Sequence, residues 1–273
     1  NVDIDYIKIN GIEVEYEITG EDYSQINIEL DETLEEGSNF TIEFKYEFEY
    51  WHFQSRIMVV DDYYLTMFFY PFVSIFDDEG WNIDPFTLHG ESYYNDIGDY
   101  FVSLDVRDDF LVASSGKLLF EESSNGRLNK YLYLENGRDF SFSTSPNYYH
   151  YDSEMDGRLF EIYSIRELSS IEVEDSLRYM EDTFHLFEGY VGEYYYDYFT
   201  LEYGYYYGME SSAVIYCSEE ISEGTVVHEV IHQWFYSIIG NDQSDESFLD
   251  ESLTTFVSGI YFLDIYGDEG AEG

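Results

Sequence analysis

His228-Glu229-Val230-Ile231-His232 is the stretch of this chain best suited to do chemistry. Positions i and i+4 share one face of a helix, about one turn apart, so two imidazoles at that spacing can grip one metal ion. Glu229 lies between them and can reach a water on that metal as a general base. Glu251 follows after eighteen intervening residues. A carboxylate from a second helix would complete three protein ligands and leave a fourth position for water. That is the layout of a hydrolytic zinc site, with one Zn2+ per chain held by His228, His232 and Glu251.

These residues need elements to position them. Thr225-Val226-Val227 before the motif and Gln233-Trp234-Phe235-Tyr236 after it predict a buried amphipathic helix, stopped at Gly240-Asn241. The apolar spacing from Phe248 to Leu263, ending at Gly267, predicts a second long helix. Asp250 and Glu251 both fall in its early part, where acids also favour a helix N-terminus. The separation from His232 is what selects Glu251. Upstream, Gly208-Met209-Glu210-Ser211-Ser212-Ala213-Val214-Ile215-Tyr216 reads as a glycine followed by a short strand-like run. A glycine there lets a backbone approach a ligand closely, and Glu210 would present a fixed carboxylate near the metal. Read alone, Glu210 fits a solvated acid at a strand edge equally well.

Together these pieces resemble the M1 family of zinc aminopeptidases, gluzincins in which eighteen residues separate HExxH from a ligand Glu. Val226 to Asn241 resembles that family's zinc helix and its exit. Phe248 to Leu253 resembles its tryptophan-leucine-(Asn/Asp)-Glu-Gly segment, and Gly208-Met209-Glu210 its Gly-x-Met-Glu-Asn exopeptidase motif. The segments 77–85, 98–102 and 135–142 resemble the amino-terminal saddle domain of a bacterial subgroup. The resemblance implies an α+β fold: an antiparallel β saddle over 1–157, then part of a thermolysin-like catalytic domain over 158–273. It implies that His228, His232 and Glu251 bind zinc and that Glu229 is the general base. It implies that Glu210 holds the free α-amine of a peptide and that Gly208 and Met209 line the substrate strand. Ser211, Ser252 and Phe248 depart from the usual Asn, Gly and Trp. The family's transition-state tyrosine lies well beyond the third ligand. This chain stops twenty-two residues after Glu251, so the expectation is a fragment of a longer protein, and an exported or membrane-tethered parent is favoured over a cytoplasmic one.

Composition narrows the partners. Eleven Lys and Arg face 59 Asp and Glu, a net charge of −48. Phosphate binding needs basic patches, so nucleic acid is not an expected partner, and anionic membrane surfaces are disfavoured for the same reason. Self-repulsion of this size destabilises a compact chain in dilute buffer, and salt screens it. A high-salt setting and an ordinary acidic protein both fit. The 31 Tyr and 22 Phe supply ample apolar surface for a core. Cys217 is the one cysteine, so no intrachain disulfide forms, and it reads as a small core residue. No run reaches the roughly eighteen apolar residues of a membrane span.

The first half reads as β structure, with a hairpin at Asn10-Gly11 and turns at Asn125-Gly126 and Asn136-Gly137. Residues 146–157 read as a polar, turn-rich connection, and 173–191 as a helix with Leu177, Met180, Phe184 and Phe187 on its core face. His52, His89 and His150 show no ligand-like spacing among them, and His185 on the helix reads as structural. The function these readings converge on is removal of N-terminal residues from peptides with a free amine. The alternatives are a catalytically incomplete relative acting as a binding module, and a zinc endopeptidase in which Glu210 is incidental.

Overall fold

A computed structural model describes residues 2–20, 23–78, 80–85 and 93–268. Glu79 of the segment 77–85, and His89, lie outside the described residues. Period-two alternation builds the first half. Gly98–Arg107 alternates half-buried and exposed along all ten residues, the pattern of a strand with one face on a core. Asn10 and Gly11 both take positive φ, 51° and 80°, and turn Val2–Ile9 back onto Ile12–Glu13, as predicted.

Among the described residues the strands before residue 146 form five antiparallel sheets, two of them two-stranded (Glu17–Thr19 with Gln25–Asn27, and Phe76–Asp77 with Gly80–Trp81). Val2–Ile9 lies between Ile12–Glu13 and Ile42–Phe48. Arg127–Gly137 lies between Gly98–Arg107 and Lys117–Ser124. A four-stranded sheet runs in the order Leu111–Ser114, Phe142–Ser145, Tyr63–Thr66, Ile57–Val60. Asn136-Gly137 is not a hairpin turn. It closes the strand Arg127–Gly137 beside an irregularity in its pairing with Gly98–Arg107.

The site is carried by a five-stranded mixed sheet, in the order Tyr149–Met155, Arg158–Ser164, Tyr198–Gly204, Val214–Ser218, Gly208–Ser211. The reading of 146–157 as a connection is corrected here. Tyr149–Met155 is a strand antiparallel to Arg158–Ser164, joined to it through Asp156-Gly157 at φ 51° and 78°. Arg158–Ser164 and Tyr198–Gly204 are parallel, so the chain needs a crossover. Helix α1 (Ser170–Tyr190) supplies it. Its start is set by a capping box, in which Ser169 and Glu172 satisfy each other's backbone N–H groups. Its buried face, Met180, Phe184 and Phe187, meets Trp234 at ring separations of 5.4 and 5.0 Å from Phe184 and Phe187.

Helix α2 (Glu223–Ile231) and helix α3 (Phe248–Tyr266) follow the sheet. One apolar core unites both halves of the chain, from Val112, Leu134 and Phe142 to Phe199, Ile231 and Trp234. The α+β fold therefore has a β-rich first part and a sheet-and-helix second part that share packing. Cys217 is buried in this core, and burial pushes its thiol pKa well up.

Candidate metal centre

Helix α2 is apolar on nearly all sides. Val226, Val227, Glu229, Val230 and Ile231 are buried, which ties the motif rigidly to the sheet and to α1. The helix is shorter than its sequence predicts. It ends at Ile231, with His232 as its C-cap at φ −60°, ψ −13°. The backbone then makes a compact turn in which Tyr236 N donates to Ile239 O at 3.0 Å. Gly240 does not stop the helix. A side chain there would place its Cβ 2.2 Å from Arg138 Cζ. Arg138 donates to the carbonyls of Asn95 (2.6 Å), Ser237 (3.3 Å) and Ile238 (3.4 Å), so a residue of the first half fastens the exit from the motif.

The three ligand candidates converge. His228 Nε2 and His232 Nε2 lie 3.1 Å apart. Glu251 Oε2 is 3.3 Å from His228 Nε2, and Glu251 Oε1 is 3.8 Å from His232 Nε2. Tetrahedral zinc, with bonds of about 2.0–2.1 Å to nitrogen and oxygen, separates its ligand atoms by about 3.3 Å. The observed spacings bracket that value, so this donor set fits zinc. His232 is fully buried, and its Nδ1 faces Phe235 O at 3.0 Å. A carbonyl only accepts, so Nδ1 carries the proton and Nε2 keeps its lone pair toward the cluster. Thr254 Oγ1, on the buried face of α3, lies 3.4 Å from the same Nδ1. The hydrogen bond from His228 holds the Glu251 carboxyl below its ordinary pKa.

Gly208–Ser211 and Val214–Ser218 form a hairpin turned at Ser212-Ala213, with Ala213 at φ 61°. The single strand-like run read from the sequence is thus two strands. Gly208–Ser211 is the outer strand of the sheet and lies against α2. Glu210 is 3 % exposed and Glu229 6 % exposed. Glu210, Glu229 and His232 each bring an oxygen or nitrogen within 4.8 Å of the others. Burial first, and then the carboxylates of Glu251 and Asp250, push the Glu210 pKa up to about 8. The pair of buried carboxyls therefore sits immediately beside the three converging ligand atoms.

Gly208 has a steric reason to be glycine. A Cβ there would lie 2.5 Å from Glu229 Oε1 and 3.3 Å from Thr225 Cγ2. Gly208→Ala is expected to push the Glu229 carboxylate aside. A misplacement of about 1 Å costs on the order of 10²-fold in rate, with zinc content and melting temperature unchanged. Steady-state kinetics with elemental analysis checks this, and wild-type turnover in the variant would show that Glu229 does not depend on Gly208.

Several buried polar residues hold the strand and helix together, and sequence spacing did not point to them. Gln233 is fully buried. Its Oε1 accepts from Ala213 N (2.9 Å) and Tyr194 Oη (3.0 Å), and its Nε2 donates to Ser211 O (3.0 Å). It thus clamps the hairpin to the residue after His232. Ser211 turns away from the site. Its hydroxyl bonds Asp139, which also accepts from Ser212 N at 2.7 Å, and Ser141 Oγ donates to Ser211 Oγ at 2.6 Å. Met209 is buried in a second apolar cluster with Tyr63, Leu65 and Tyr216. The remaining described histidines stay outside the site. His150 pairs with Glu161 and His185 with Asp156 at the surface, and His52 is exposed.

No protein-family model and no curated protein sequence matches this chain. Solved structures do match in fold. The M1 zinc metallopeptidase of Deinococcus radiodurans matches with a TM-score of 0.67 at 13 % identity, over 98 % of this chain and 62 % of that one. Aminopeptidase A of Legionella pneumophila, in complex with aspartic acid, matches with a TM-score of 0.75 at 14 % identity, over 98 % of this chain and 33 % of that one. The chain therefore has the fold of the corresponding part of M1 zinc peptidases. It spans less than two thirds of the length of these relatives.

Proposed function

We propose that this chain carries the zinc and amine-binding machinery of a metallopeptidase that removes N-terminal residues from peptides. The observation that carries the reading is one cluster: His228, His232 and Glu251 at zinc spacing, with the buried carboxyls of Glu229 and Glu210 beside them. Bound zinc would supply a Lewis acid and lower the pKa of water at this site.

The chain's own residues account for the rest. Glu229, held on the rigid end of α2, accepts the proton of the attacking water at its carboxylate and returns it to the departing amine nitrogen. Glu210, on the outer strand, takes the substrate's α-ammonium. An ammonium is the natural partner for a carboxyl this buried, because an opposite charge offsets the desolvation that otherwise keeps it protonated. Fixing that amine sets which peptide bond reaches Glu229. The fold likeness to zinc peptidases supports the same class of reaction.

In the zinc-loaded full-length protein, a dipeptide with a free amine is expected to be cleaved and its N-acetylated form left intact. Chromatography of both digests decides the matter. Equal cleavage of the two would exclude Glu210 as the amine site and leave an endopeptidase, in which Glu210 plays no part. Among the described residues no helix is long and apolar enough to cross a membrane.

A further inference from the structure

We propose that Gln243 is a positioning residue for amine recognition, whose side-chain amide holds the Glu210 carboxylate in place by tying it to Asp250 on α3. The inference rests on the reading of Glu210 given above. Gln243 is 1 % exposed. Its Nε2 donates to Asp250 Oδ2 at 2.6 Å and to Glu210 Oε1 at 3.3 Å. Asp250 is itself 1 % exposed, and its other oxygen accepts from Asn241 Nδ2 at 3.2 Å. The backbone of Gln243 is anchored from the first half of the chain, through its N–H to Tyr93 O at 3.3 Å.

Asp250 precedes Glu251, so the amide links the outer strand of the sheet to the turn of α3 that carries the third ligand candidate. The arrangement has a cost. Gln243 Oε1 is buried and has no hydrogen-bond partner among the described residues. An orphaned buried acceptor is destabilising, and such groups call for an explanation other than packing. The other end of the amide provides it. With an apolar side chain at 243, Glu210 and Asp250 would face each other across a low-dielectric space with no donor between them. The Glu210 carboxyl would then swing away from the position that meets an incoming ammonium.

The test uses zinc-loaded full-length protein and two probes, L-phenylalanine and its des-amino counterpart 3-phenylpropionate, with binding read by calorimetry. Gln243→Met keeps the length of the side chain and removes the NH2 group. It is expected to weaken L-phenylalanine binding about tenfold, the scale of one lost hydrogen bond to a charged group, with 3-phenylpropionate binding unchanged. For a free-amine dipeptide, KM should rise by a similar factor and kcat should hold. Gln243→Leu also removes the donor. It should show the same loss, and it serves if the Met variant fails to fold. Glu210→Ala should abolish the preference for the amine. If Glu210→Ala loses that preference and both Gln243 variants keep it, the role given to Gln243 is overturned and the amine site stands. If Glu210→Ala keeps it, the reading of Glu210 falls and this inference falls with it.

Discussion

Replacing Glu229 with Gln is expected to lower turnover by about 10³-fold or more while zinc stays at about one per chain. The two side chains have the same shape, and Glu229 is packed among Val226, Val227, Val230 and Ile231 on a helix with little room to adjust. Two of the proposed ligands, His228 and His232, lie one residue before it and three after it, and the third, Glu251, comes from α3. What changes is basicity: an amide does not accept the proton of the attacking water. Kinetics paired with elemental analysis reads both halves of the expectation. A Gln variant that turns over at the parent rate would remove Glu229 from the role of base. A variant that loses its zinc would mean that Glu229 supports the metal as well.

His232→Ala should have the opposite signature, with the metal lost and activity lost as its consequence. His232 is fully buried and is oriented by Phe235 O and Thr254 Oγ1. Removing a partner that merely orients a ligand costs about 10–100-fold in metal affinity, and removing the ligand itself costs more. His228 and Glu251 would remain, 3.3 Å apart, as an incomplete pair. Zinc per chain after dialysis is the measurement, with a thermal melt to separate metal loss from unfolding. Zinc retained at one per chain in a folded variant would place the ion elsewhere, and the cluster would lose its meaning. The half-exposed His228 offers a milder comparison, since its truncation leaves a smaller buried void.

Much of the site was legible because its logic is local. The i, i+4 spacing of His228 and His232 needs only a helix, and the apolar residues around them specify one. The hairpin at Asn10-Gly11 was legible for the same reason, since turn chemistry acts within four residues, whereas α1 begins at Ser170, three residues before its apolar stripe suggests, because the Ser169–Glu172 capping box sets its start. The errors fell where local signals end. From Glu223 the apolar pattern continues through Gln233 to Ile238 and predicts helix as far as Gly240. The burial that pattern records is real, but it belongs to a turn. Trp234 packs on Phe184 and Phe187, and Gln233 is claimed by Ala213, Tyr194 and Ser211. Contacts from other elements override the weak preference of these residues for continuing a helix.

Sequence by itself points to the type of chemistry, because the candidate ligands and base and their spacing along helices are written in the chain. It determined which residues could meet a metal. The tertiary structure alone decided how they meet. It set Glu210 beside Glu229, put Gly208 where no side chain fits against that base, and turned Ser211 inward to Asp139. It placed Gln243 between Glu210 and Asp250, and it joined Tyr149–Met155 to the sheet that carries the site. These contacts join residues as far as 72 positions apart, as Ser211 and Asp139 are. A buried polar group is satisfied by whatever the fold brings to it, and neither period nor propensity along the chain encodes that.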